Sequence, residues 1–148
     1  MNLKDALEQF DTIFLDTAPI IYYIEAHPQY GALAKTVVDS FQSGKTIAFT
    51  SVLTLTEVLS KPVQRGDEKL TLKFANFLQY GKNLKLIEIS SSIAIRAGRL
   101  RGQYSDLRTI DSIQISAALE VGASAFLTND KKLKNIRETK ILLLTEYL

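Results

Sequence analysis

The sequence predicts an α/β protein of three layers, with helices on both faces of a central, mainly parallel sheet of about five strands. Three observations carry that prediction. Short apolar runs of strand character alternate with stretches whose apolar residues recur at helical spacing. Apolar residues make up 46% of the 148 positions and charged ones 23%, enough for a sizeable core in one domain. No internal repeat, low-complexity stretch or linker interrupts the alternation, so residues 1–148 read as a single domain.

Each element follows from local pattern. Thr12-Ile13-Phe14-Leu15 is a continuously apolar strand, as expected when both faces are covered. Ile20, Ile21 and Ile24 mark the next helix, which His27-Pro28 breaks. Leu33, Val37, Val38 and Phe41 share one face of a helix from Tyr30 to Phe41, stopped by Gly44. Thr46-Ile47-Ala48-Phe49 is the second strand, and Val52, Leu55 and Leu59 mark a helix ending near Pro62. The stretch from Gly66 to Gly81 carries Leu70, Phe74, Phe77 and Leu78 on one helical face. Leu84 to Ile89 is the third strand, and the serines at 90–92 cap a helix bearing Ile93, Ala97 and Leu100. Residues 109–121 form a helix that is apolar on most sides and therefore buried. Ala125-Phe126-Leu127 and Ile141-Leu142-Leu143-Leu144 are the last two strands.

Composition excludes several function classes. No apolar run approaches the roughly 18 residues of a membrane helix. The first eight residues carry acids and no long apolar segment, unlike a secretory signal. Cysteine is absent, which removes disulfides, thiolate zinc sites and thiol catalysis, and suits a cytoplasmic protein. His27 is the only histidine, so chemistry that needs a histidine pair is also excluded.

Four acids stand out. Asp16 and Asp130 lie just past the carboxyl ends of two strands, where open parallel sheets gather their sites. Asp111 falls on the first turn of a helix, and Glu57 lies on the helix after the second strand, flanked by Leu55, Val58 and Leu59. Each has an ordinary explanation. Asp16 or Thr17 could cap a helix beginning near Pro19, Asp130 could cap a turn, the helix dipole favours Asp111, and Glu57 could be solvated. Together they point elsewhere. Carboxylates brought to one place repel, and a hard divalent cation is the natural remedy. Without those four, 12 acids face 18 basic residues, a balance of +6 suited to a polyanion.

The residues resemble the PIN domain family, the nuclease fold of VapC-type toxins in toxin–antitoxin pairs. The resemblance rests on Phe14-Leu15-Asp16-Thr17 followed by Ile20-Ile21-Tyr22, on Thr56-Glu57-Val58, on Leu107 to Ala118, and on Phe126 to Asp130. It implies a metal-dependent endoribonuclease using Mg²⁺ or Mn²⁺, with Asp16 as central ligand, Asp111 and Asp130 as partners, and Glu57 ordering the metal's water. It further implies an RNA substrate, a small antitoxin partner and a homodimer. Thr128 matches the polar position that supports the last acid. With Arg108, it is also a candidate for contact with substrate. The chain departs from the commoner pattern at Ala18-Pro19 and at Thr109-Ile110.

Other basic residues near these motifs (Arg96, Arg99, Arg101, Lys131, Lys132 and Lys134) read mainly as solvated helix faces. Tyr22 and Tyr23, set among isoleucines, read as core rather than as base-stacking platforms. Two other functions fit part of the pattern. One is a catalytically silent RNA-binding or assembly module of the same fold. The other is an aspartate-nucleophile phosphatase, disfavoured because Ala18 stands where a second acid is needed.

Overall fold

The computed structural model describes residues 1–148. Its sheet has five strands, all parallel: β1 (Thr12–Leu15), β2 (Ile47–Ser51), β3 (Leu84–Ile87), β4 (Ala125–Thr128) and β5 (Ile141–Leu143). Their order is β3-β2-β1-β4-β5. Seven helices join them: α1 (Leu3–Leu7), α2 (Thr17–Ile24), α3 (Gly31–Gln42), α4 (Val52–Gln64), α5 (Glu68–Tyr80), α6 (Ser91–Gln103) and α7 (Thr109–Glu120). A 3₁₀ turn at Lys131–Asn135 follows β4, and another at Leu144–Tyr147 follows β5.

Strand alternation divides the core in two. On β1, Ile13 and Leu15 face a cluster completed by Val37, Val38 and Phe41 of α3 and by Phe74 and Leu78 of α5. Phe14, between them, faces the opposite cluster with Ile93 and Leu100 of α6 and Ile115 of α7. There its ring stacks on Phe126 of β4 at 5.6 Å. A strand buried on both faces must be apolar throughout, which explains the unbroken run of β1. The result is the expected three-layer arrangement.

Boundaries differ from expectation in a few places. The helix expected to stop near Pro62 runs to Gln64, because a proline in the last turn forfeits only one ladder hydrogen bond. Gly66, at φ +70°, ends it, and the Asp67 side chain caps α5 by accepting from the amide of Leu70 at 3.0 Å. The third strand pairs only through Ile87. Helix α1 was not anticipated; its Leu3, Ala6 and Leu7 are buried.

The strand order sets the position of the site. From β1 the chain moves outward through β2 to β3, then crosses back to place β4 on the other side of β1. That reversal opens a crevice beyond the carboxyl ends of β1 and β4, the usual place for a site in such a sheet.

Candidate active site

Asp16 follows the last residue of β1 and Asp130 lies two residues beyond the end of β4, so both stand at the crevice. Glu57 sits one and a half turns into α4, and Asp111 in the first turn of α7. All four acids line one cavity of about 320 Å³, together with Thr17, Tyr22, Arg108, Thr128 and Asn129. Segments separated by as many as 114 residues of sequence thus converge.

The ordinary cap roles are real and coexist with this convergence. Asp16 accepts from the amide of Thr17 at 2.8 Å, capping α2, and Asp130 accepts from the amide of Lys132 at 3.0 Å. Each cap uses one carboxylate oxygen. The second oxygen of Asp16 takes the Thr128 hydroxyl at 2.8 Å, and that same hydroxyl accepts from the Asp130 amide at 3.1 Å. Thr128 is fully buried beneath the two acids it joins. Its hydroxyl, expected at the substrate, is committed to holding them.

Electrostatics mark Asp16 as the strained member. Burial pushes its carboxyl up from 3.8 to about 6, opposed by the Thr128 and Thr17 hydrogen bonds and reinforced by the like charges of Asp111 and Glu57. Glu57 accepts from the Thr17 hydroxyl at 2.6 Å, leaving its other oxygen without a bond in the protein. Asp111, only 5% exposed, has a counter-ion. The Arg108 guanidinium forks onto it at 2.8 and 3.2 Å, and that carboxylate keeps Arg108 above its ordinary pKa, chiefly through the hydrogen bond. Arg108, expected to meet phosphate, points into the acid cluster while 73% of its side chain stays exposed.

A hydroxyl and amide network that the sequence reading missed supports the acids from below. Gln114, one turn after Asp111 and fully buried, accepts from the Ser51 hydroxyl and donates to the Thr54 hydroxyl at 2.9 Å. Thr54 meets Thr50 at 2.9 Å and lies 3.4 Å from the Thr17 hydroxyl that holds Glu57. Helices α2, α4 and α7 are therefore registered against one another through polar contacts in the interior. Asn129 was missed too: it donates to the Tyr22 hydroxyl at 3.1 Å and accepts from the Thr145 amide at 3.0 Å. A buried glutamine among Ile113, Ile115 and Ala117 was the visible signal for the first network.

Three of the other basic residues near these motifs have structural partners. Arg96 pairs with Glu120 at 3.6 Å, Arg101 donates to the carbonyl of Leu107 at 3.0 Å, and Lys134 pairs with Glu146 at 2.7 Å. Tyr22 stacks on Tyr30 at 5.0 Å, and Tyr23 meets Phe77 at 5.4 Å.

The donor set is entirely oxygen, the chemistry a hard cation such as Mg²⁺ or Mn²⁺ takes. No three carboxylates are gathered closely enough to clasp an ion as they stand. Mg²⁺ commonly keeps several waters and one or two carboxylates, so acids on the wall of an open cavity fit it without a closed cage. Asp111 would exchange Arg108 for such an ion.

A family model described as the PIN domain matches residues 13–139. The chain belongs to the PIN domain family. Among solved structures, it is similar to a chain of the VapBC2 complex of Rickettsia felis bound to a promoter DNA fragment, at 20% identity and TM-score 0.72, covering 89% of this chain and 98% of that one. It is likewise similar to a chain of DNA-bound VapBC from Salmonella typhimurium, at 18% identity and TM-score 0.72, covering 90% and 98%. The sarcin-ricin loop cleaving toxin VapC20 of Mycobacterium tuberculosis gives 14% identity and TM-score 0.67, covering 86% and 98%. At these identities the likeness is one of fold. Comparison with curated proteins gives no match. No helix is long and apolar enough to cross a membrane.

Proposed function

We propose that the protein is a metal-dependent endoribonuclease that hydrolyses RNA phosphodiester bonds, and that it is the toxin of a toxin–antitoxin pair. The observation that carries this reading is the convergence of Asp16, Glu57, Asp111 and Asp130 on one cavity at the sheet's switch point, where burial, reinforced by the like charges of Asp111 and Glu57, raises the carboxyl of Asp16. Such mutual repulsion is a poor design for a scaffold and a good one for a cation site. A bound Mg²⁺ or Mn²⁺ supplies an acidified water and stabilises the phosphoryl oxygens during in-line attack.

The chain's own residues do the rest. Asp16, Asp111 and Asp130 are the proposed ligands, with Asp16 held in place by Thr17 and Thr128. Glu57, one oxygen fixed by Thr17 and the other free of bonds within the protein, lines the cavity, where it orders the attacking water. Arg108, if an ion took its place on Asp111, would be free to meet the substrate phosphate. A short antitoxin, a homodimer and the cytoplasm are the proposed setting, supported by the fold's occurrence in VapBC complexes. A catalytically silent module is the second reading, drawing on the Arg108–Asp111 pair, which supplies that acid with a counter-charge from the protein itself.

Cleavage of end-labelled single-stranded RNA separates the readings. The nuclease reading expects cleavage with Mg²⁺ or Mn²⁺, none with chelator, and loss of at least about a hundredfold in Asp16→Asn or Asp130→Asn. Cleavage that persists after exhaustive chelation with the four acids replaced refutes it. A well-folded protein that binds RNA and never cuts it supports the silent module.

A further inference from the structure

The acid cavity is not a dead end. A larger groove of about 860 Å³ opens from it, sharing Arg108, Asp111 and Asp130 with the cavity itself. One wall is the α6–α7 connection at residues 103–108, and the other is the 3₁₀ turn at Lys131–Asn135. Both walls are held firmly. Leu107 is buried, the Arg101 guanidinium clamps its carbonyl, and the Tyr104 hydroxyl bonds Glu138 and the amide of Arg137 beside the turn. Leu133 and Ile136 anchor the turn in the core below.

We propose that this groove is a base-reading subsite for an unpaired nucleotide next to the scissile phosphate of an RNA strand. The proposal rests on the nuclease reading for the position of that phosphate. A strand whose phosphate lies at the acids must leave past Arg108 and Asp130, and this groove is the larger opening there. Its lining has the chemistry a nucleotide needs. Arg108 and Lys132 supply positive charge for the backbone phosphate. Gln103 and Asn135 carry side-chain amides, each able to donate and accept, and Asp106 can accept from an exocyclic amine. All three side chains are exposed, and none makes a side-chain hydrogen bond in the protein, so their capacity is free. Tyr104, on the first wall, adds an aromatic side chain to the lining. The volume lies within the range of about 300–1,000 Å³ in which ligand sites fall. A base paired in a duplex presents neither its face nor its pairing edge, so the occupant is single-stranded.

The test uses the full chain and a single-stranded RNA of randomised sequence, with Gln103→Ala, Asn135→Ala and their combination. Gln79→Ala, which removes an exposed amide on α5, is the control for loss of a surface amide away from the groove. Thermal melting verifies that each variant folds. The double variant should raise KM about tenfold, keep kcat within about twofold, and flatten the base preference at one position beside the cut. Gln79→Ala should leave both KM and that preference intact. Unchanged KM and preference in the double variant overturn the subsite.

Binding of the same RNA, followed by fluorescence anisotropy with chelator present, provides the readout independent of catalysis. Binding weakened by the double variant, in a protein that never cleaves, supports the groove while refuting the nuclease. A wild type that neither binds nor cleaves the RNA overturns both.

Discussion

Replacing Asp16 with asparagine should make the metal-free protein more stable at neutral pH. The carboxyl is raised from 3.8 to about 6, which at about 1.36 kcal/mol per pH unit places the cost of ionising it in the folded state near 3 kcal/mol. The residue is partly open to the cavity, so solvent screening trims that figure to about 2 kcal/mol. Asparagine keeps the cap to the Thr17 amide but replaces the acceptor for the Thr128 hydroxyl, a loss of about 1 kcal/mol. The net gain is about 1 kcal/mol, a rise of roughly 3 °C in Tm for a chain of this size. The sign depends on pH. A carboxyl whose folded pKa exceeds its unfolded one binds more protons in the native state between the two values. Stability from this group is therefore full below about pH 4 and is lost as pH rises through about 6. The advantage of Asp16→Asn should accordingly vanish near pH 4, where only the lost hydrogen bond remains, and reach its full size above pH 7. Calorimetric melts in chelator at pH 4, 5, 6 and 7.5 measure this. A variant less stable than wild type at pH 7.5, or a difference that does not change with pH, refutes the argument from burial and like charge.

Arg108→Ala should lower apo stability by about 1–2 kcal/mol, because it strands the buried carboxylate of Asp111, and added Mn²⁺ should restore the loss; melts with and without metal decide it. Gln114→Leu removes the partner of both Ser51 and Thr54 and should cost about 2 kcal/mol in urea unfolding, whereas Gln114→Glu should recover part of it only at low pH, where the new carboxyl can still donate. Phe126→Ala takes a fully buried ring from its stack on Phe14 and should cost about 3–5 kcal/mol, read by the same denaturant titration.

Much of this architecture was legible because its determinants are local. Continuous apolar runs at 12–15 and 125–127 had to be strands covered on both faces, and the structure stacks Phe14 on Phe126 on one side while Ile13 and Leu15 fill the other. Asp16 and Asp130 were visible as acids past strand ends, a placement fixed by chain direction alone. Three things were hidden for physical reasons. Helix α1 spans five residues, too few to display a period. The helix through Pro62 continues because the missing bond falls in its final turn. The hydroxyl network through Gln114, Thr54 and Thr17 joins positions up to 97 residues apart, and only the tertiary fold decides which polar side chains are sealed inside and must find one another. The same holds for Arg108. Its position three residues before Asp111 on one helical turn permits the fork seen here, yet the sequence alone could equally send it to a phosphate.

Anomalous diffraction from crystals soaked in Mn²⁺ tests the proposed centre most directly. The proposed site predicts a manganese peak in the cavity at the carboxyl ends of β1 and β4, about 2.0–2.3 Å from oxygens of Asp16 and at least one of Asp111 and Asp130. The Arg108 guanidinium should be displaced from Asp111, and the peak should be absent in Asp16→Asn. A peak elsewhere on the molecule, or none at saturating Mn²⁺ with the Arg108–Asp111 pair intact, would contradict a metal-dependent centre built on these acids.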